Sequence, residues 1–166
     1  MASTKVAYAS SGSVTITLAS LATSSTLVAG RSSAEIDNTT NLYLDYFLSG
    51  KISVGTTPTA STVIEAWLIP KREDGSYLDT FDGTDTNVTV TSRSHLLAYG
   101  TLLTALNVPA TTSNVGYEFY RSLSSALGAP APFKFQIFVV HNTGVSLNST
   151  GGNHALYQKG VYSTTA

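Results

Sequence analysis

Asn41-Leu-Tyr-Leu-Asp-Tyr-Phe-Leu-Ser-Gly-Lys-Ile-Ser-Val54 is the longest period-2 stretch in the chain. Successive side chains of an extended strand point to opposite sides. Leu42, Leu44, Tyr46 and Leu48 therefore share one face, and Tyr43, Asp45 and Phe47 the other. The pattern resumes at Ile52 and Val54 beyond Ser49-Gly50, so Gly50 predicts a bulge or bend within one long strand. Gly55-Thr-Thr-Pro58 closes it. Upstream, Val14, Ile16 and Leu18 alternate with Ser13, Thr15 and Thr17 in the same way. Downstream, Thr62 to Ile69 is apolar on both faces up to Pro70, as in a strand covered on both sides. Trp67 within it reads as core, and Glu65 needs a partner or a route to water.

Phe133 to Val140 is a second strong core strand. Shorter strands are predicted at Val88 to Val90, Leu96 to Leu103, Tyr117 to Tyr120, Val145 to Leu147 and His154 to Tyr162. Turn-forming clusters such as Pro109 to Asn114 and His141-Asn-Thr-Gly144 separate them. Leu96 to Leu103 reads as strand because Gly100 weakens a helix there. Ser122 to Gly128 is the one helical piece, with a serine N-cap and a glycine stop. About eight or nine strands without a tandem repeat predict an all-β antiparallel two-sheet sandwich, a jelly roll, with one short helix. Residues 31–166 are expected to form this domain. Residues 1–30, rich in Ser, Thr and Ala, are expected to form an N-terminal arm.

Composition narrows function by exclusion. With 166 residues the chain has one domain's length. The absence of cysteine removes disulfides, thiol nucleophiles and thiolate metal sites together. Nine basic and ten acidic residues leave a net charge of −1, without the basic field that holds a phosphate backbone. Nucleic acid is therefore not an expected partner. The 46 Ser and Thr residues supply surface polarity in place of charge. Neither Met1 to Tyr8 nor Phe133 to Val140 is long and apolar enough for a signal or a membrane span, so the chain is expected to be made and used without membrane passage. The Asn-x-Ser/Thr triplets at Asn38, Asn87 and Asn148 are chance products of this composition.

Reactive constellations are sparse. His95, His141 and His154 lack the spacing that sets two imidazoles on one face; His141 and His154 could still meet across the Val145 to Leu147 strand, but the preferred reading is that they bond turn backbone. There is no Gly-x-Ser-x-Gly elbow, and Gly151-Gly152 lacks the lysine and helix of a phosphate loop. Neither catalytic residues nor a cofactor are assigned. Asp79, Asp82 and Asp85 form the best candidate for a ligand, since hard oxygens on a glycine-containing loop suit Ca²⁺. Their spacing departs from the EF-hand, however, and a turn-rich loop capping its own backbone is the preferred reading. Phe81, an apolar ring amid Asp, Gly and Thr, predicts that the loop packs either on its own sandwich or on a neighbouring subunit. Trp67, Tyr77, Phe81, Tyr117, Phe119 and Tyr120 are the rings that a carbohydrate site would draw on.

Asn41 to Ile52 with Gly55 to Pro58, then Phe81-Asp-Gly-Thr-Asp85, then His141 to His154, resemble small virion structural proteins of tailed bacteriophages. The resemblance covers about two thirds of the chain, from Asn41 to Tyr162. It implies a non-enzymatic jelly roll acting as a capsid decoration or cement protein on the virion surface. The implied partners are the major capsid protein or other virion proteins, and the implied state is a homotrimer. The alternative is a carbohydrate-binding module of tail or baseplate.

Overall fold

Alternating β-branched and aromatic residues form eleven strands among residues 3–165, the part of the chain described by the computed structural model. They are β1 (Thr4–Tyr8), β2 (Gly12–Ser13), β3 (Ala29–Ser32), β4 (Ile36–Asp37), β5 (Asp45–Ser53) and β6 (Thr62–Pro70). These are followed by β7 (Thr86–Thr89), β8 (Thr101–Val108), β9 (Gly116–Ser122), β10 (Lys134–His141) and β11 (Ala155–Thr165). Two helices, α1 (Arg93–Tyr99) and α2 (Leu123–Leu127), interrupt them. No helix among the described residues is long and apolar enough to cross a membrane.

The first sheet has the order β1-β11-β5-β9, with β2 also on β11; the second has the order β7-β3-β10-β6-β8, with β4 also on β10. β1 and β2 follow one another along β11, as β3 and β4 do along β10. Merging each of these pairs and setting β7 aside gives the orders 1-8-3-6 and 2-7-4-5, the jelly-roll topology. All the strand pairs are antiparallel.

Strand alternation divides the apolar residues between two clusters. Tyr46, Leu48 and Ile52 of β5 meet Ile64, Ala66 and Leu68 of β6 and Ile137 and Val139 of β10 between the sheets. The other faces of β6 and β10 carry Trp67, Ile69, Phe138 and Val140, which pack with Phe81, Val88, Val90 and Leu96 in a second cluster. This is why both faces of β6 read as apolar. Glu65 lies on the same side as Trp67 and finds its partner in α1. Arg93 donates to both carboxylate oxygens at 2.6 and 2.8 Å, and Trp67 Nε1–H donates to one of them at 2.9 Å. The guanidinium also lies over the indole, 4.7 Å from its centroid.

Several local expectations are corrected. Residues 3–30 are not a separate arm; Met1 and Ala2 lie outside the described residues. Val14, Leu18 and Leu21 are buried in the main core, and β3 begins at Ala29 inside the second sheet. Leu42 and Leu44 are exposed and precede β5, because Leu42 has a positive φ and breaks the extension. Gly50 lies in an unbroken ladder between Leu156 and Phe119. A Cβ there would come within 2.9 Å of both the Ala155 carbonyl and the Phe119 ring, so close approach explains the glycine. The register shift lies instead between Ala66 and Trp67. Arg93 to Tyr99 is helical, with the Ser92 hydroxyl accepting from His95 N–H and Leu96 buried against the second sheet. Val145 to Leu147 forms no strand, only a bridge from Leu147 to Val54. The Ser122 and Gly128 caps of α2 are present as read, with Gly128 in the left-handed region.

A candidate docking face

The two outer faces of the sandwich are in opposite states. The segment from Lys71 to Tyr99 folds back over the second sheet, where Phe81 and Leu96 complete the outer cluster. Gln136, fully buried, fastens it by donating to the carbonyls of Ser33 and Thr84 and accepting from Gly83 N–H. Arg31 adds Nε–H to the Asp85 carboxylate at 2.6 Å. Among the described residues no equivalent segment lies on the first sheet.

That uncovered face is built from alternate residues of four strands. Paired residues of neighbouring strands share a face. Tyr8 therefore joins Val161, Lys159 joins Phe47 and Ser122, and Ser49 lies between Tyr157 and Tyr120. Tyr8 and Phe47 stack at 6.1 Å between centroids, and Phe47 and Tyr120 at 5.1 Å. Lys159 Nζ lies 5.6 Å from the Tyr8 centroid. The result is an aromatic row running across the sheet, flanked by serines. Val6 is 66% exposed, Tyr120 59%, Tyr8 56% and Tyr157 47%. Four strands at about 4.8 Å spacing and nine residues at about 3.4 Å give a face of roughly 600 Å² in projection. This approaches the roughly 800 Å² per partner of a standard protein interface.

The acidic ladder does not assemble into one site. Asp79 accepts from the Thr91 N–H and hydroxyl, each at 2.9 Å. Asp82 accepts from the Thr84 hydroxyl and N–H, which hold its carboxyl below the ordinary range. Asp85 faces Arg31 and Thr17; burial raises its pKa, but the hydrogen bonds from these two outweigh it and leave it lowered. Among the described residues no three acids or histidines gather as metal ligands. Phe81 is 6% exposed and meets Phe138 and Tyr99 edge-on at 5.3 and 6.1 Å. Of its two expected settings it takes its own sandwich. Trp67 and Phe119 are buried as well. Tyr120 alone among the six candidate rings stands well exposed, and its companions Tyr8, Phe47 and Tyr157 are not in that set. The signal for Phe47 was its place on the second face of the quoted stretch.

His154 and His141 bond backbone at separate places, while exposed His95 lies 3.8 Å from the Asp79 carboxylate. His154 Nδ1 accepts from Ser53 N–H at 3.3 Å, and its Nε2–H donates to the Asn148 carbonyl at 2.8 Å. His141 is fully buried, donating Nε2–H to the Leu21 carbonyl at 3.1 Å with Nδ1 2.9 Å from the Thr143 hydroxyl. Burial pulls its pKa down to about 4, against the opposing pull of backbone bonds to Leu21 and Ala22. The unfolded chain takes up this proton near pH 6.5, before the native state does. Stability therefore falls as pH drops from 6.5 towards 4, by about 3 kcal/mol. The urea midpoint is expected to be lower at pH 4.5 than at pH 7, and His141→Gln to flatten this dependence; equal slopes in both proteins would refute it.

No family model matches the chain, and no curated protein matches it.

Proposed function

We propose that the protein is a non-enzymatic structural component of a tailed-phage virion, decorating the assembled head and stabilising it against internal pressure. The asymmetry of the sandwich carries this reading: one outer face is sealed by the chain's own insertion, and the other presents an uncovered aromatic row. Contiguous exposed apolar surface marks interaction sites, and Tyr and Phe are enriched in the centres of protein interfaces. The resemblance of the Asn41 to Tyr162 segments to virion proteins supplies the partner, the major capsid protein or a neighbouring virion protein.

Ring geometry favours a protein partner over a sugar. Phe47 is flanked by Tyr8 on one side and Tyr120 on the other, so both its faces are taken. A pyranose stacks on a free ring face.

Purified protein is expected to co-sediment with undecorated heads and to raise the temperature at which they open. Tyr120→Asp with Tyr157→Asp lowers head affinity at least about tenfold, with thermal unfolding of the free protein unchanged because both rings are exposed. Wild-type binding by the double variant, or electron microscopy placing the protein only on the tail, overturns the proposal. Glycan binding that is lost in the same variant supports the tail module instead.

A further inference from the structure

We infer that the free edge of β1 pairs with the β1 edge of a second copy, joining two first sheets into one continuous sheet. Among the described residues β1 terminates its sheet and pairs only with β11, from Thr4 opposite Thr165 to Tyr8 opposite Val161. Ala9 N–H donates to the Gly160 carbonyl at 2.9 Å. Bonding alternates along an antiparallel strand, so Ala7 and Lys5 also turn their backbone groups towards β11. Thr4, Val6 and Tyr8 turn theirs outward, giving a short ladder of unpaired donors and acceptors. Monomeric proteins blunt such edges with proline, bulges, a covering loop or charged side chains, lysine above all, and Lys5 is the one such device in this strand. This one reads Thr-Lys-Val-Ala-Tyr, with Val6 and Tyr8 the most exposed apolar residues beside it.

The edge is complementary to itself in one register. An antiparallel twofold through Val6 sets Val6 against Val6, Thr4 against Tyr8 and Lys5 against Ala7 of the other copy. Three bonded pairs then form, each exchanging two N–H···O bonds, and the one charge lies opposite an alanine. A twofold through Ala7 loses one of these pairs, and one through Lys5 sets two ammonium groups face to face, which is unfavourable. In the Val6 register the exposed Val6 and Tyr8 side chains remain on the aromatic face. The docking row of one copy thus continues into that of the other. The twofold rests on the strand edge alone and is independent of what the aromatic face binds.

Sedimentation of the full chain at concentrations up to about 100 µM tests this. The wild type is expected to be a dimer. Val6→Lys and Val6→Glu are each expected to be monomers, with dissociation constants raised at least tenfold and unchanged melting, since Val6 is 66% exposed. Mixing the two variants restores a dimer, because opposite charges now meet at the twofold. A monomeric or trimeric wild type, a Val6→Lys dimer, or a dimer dissociated by Tyr120→Asp but not by Val6→Lys overturns the inference. Head binding plays no part in this measurement, so its outcome is separable from that of the docking proposal.

Discussion

A chain lacking residues 2–30 is expected to show no cooperative unfolding transition. The deletion removes Val14, Leu18 and Leu21, all at least nine-tenths buried between the sheets. Burying side chains of this kind contributes about 1.5–3 kcal/mol each, so their combined loss approaches the whole stability of a typical domain, about 5–15 kcal/mol. It also removes Gly30 from β3, which bridges β10 and β7 in the second sheet. The contrasting deletion of residues 2–8 takes away β1 alone, whose Val6 and Tyr8 are more than half exposed. That protein is expected to fold and to melt cooperatively. Circular dichroism melts of both deletions decide the matter: a folded 2–30 deletion would show that these residues are an arm after all.

Gly30→Ala is expected to cost about 4 kcal/mol or more. A Cβ at Gly30 would overlap the Val139 carbonyl oxygen and approach the Phe138 ring to 2.8 Å. Neither neighbour can retreat. Val139 belongs to β10, paired on both sides by β3 and β6, and Phe138 is fully buried beneath Phe81. Overpacking against a backbone atom leaves only a shift of the strand itself, which disrupts the ladder. Gly151→Ala is the control, because nothing lies within 4 Å of a Cβ there. Urea titrations should show a large drop in midpoint for the first variant and none for the second. A loss below about 1 kcal/mol at Gly30 would mean that β3 is free to move.

The local readings that succeeded were those whose cause is local. Serine at 122 and glycine at 128 bracket α2 because one hydroxyl caps a free N–H and one residue accepts a left-handed backbone. Ser92 caps the start of α1 with its hydroxyl as Ser122 does, while Gly100 at its end is extended rather than left-handed, and the strand reading overrode the cap. The missing clue was the placement of Leu96 and Tyr99 at helical spacing, both packed against the second sheet. The first thirty residues misled for a different reason. Val14, Ile16 and Leu18 alternate as in a strand, but the backbone between Val14 and Val28 forms no regular strand. Its bonds go to distant partners, from Val14 N–H to Leu156, Ser20 N–H to Asn148 and Ser24 N–H to His141. The alternation of Val14 to Leu18 says nothing of such distant partners, which are what order the segment. The regular spacing of Asp79, Asp82 and Asp85 failed in the opposite sense, because turns at Asp79 and Gly83, both with positive φ, send the carboxylates to separate partners.

By itself the sequence determined that this chain is a β-sandwich, that β5, β6 and β10 carry its core, and that Trp67 lies inside. Each of these follows from period-2 alternation, which any extended backbone translates into faces. Only the tertiary structure decided which outer face is sealed and which is left open. Alternation distinguishes the two sides of a strand, but it does not say which side another segment will cover. That depends on where the Lys71 to Tyr99 insertion lands, through Gln136, Arg31 and Phe81 acting across more than fifty residues of chain. The aromatic row arose in the same way. Tyr8, Phe47 and Tyr120 are far apart in sequence, and the register of β1, β11, β5 and β9 is what brings their rings together.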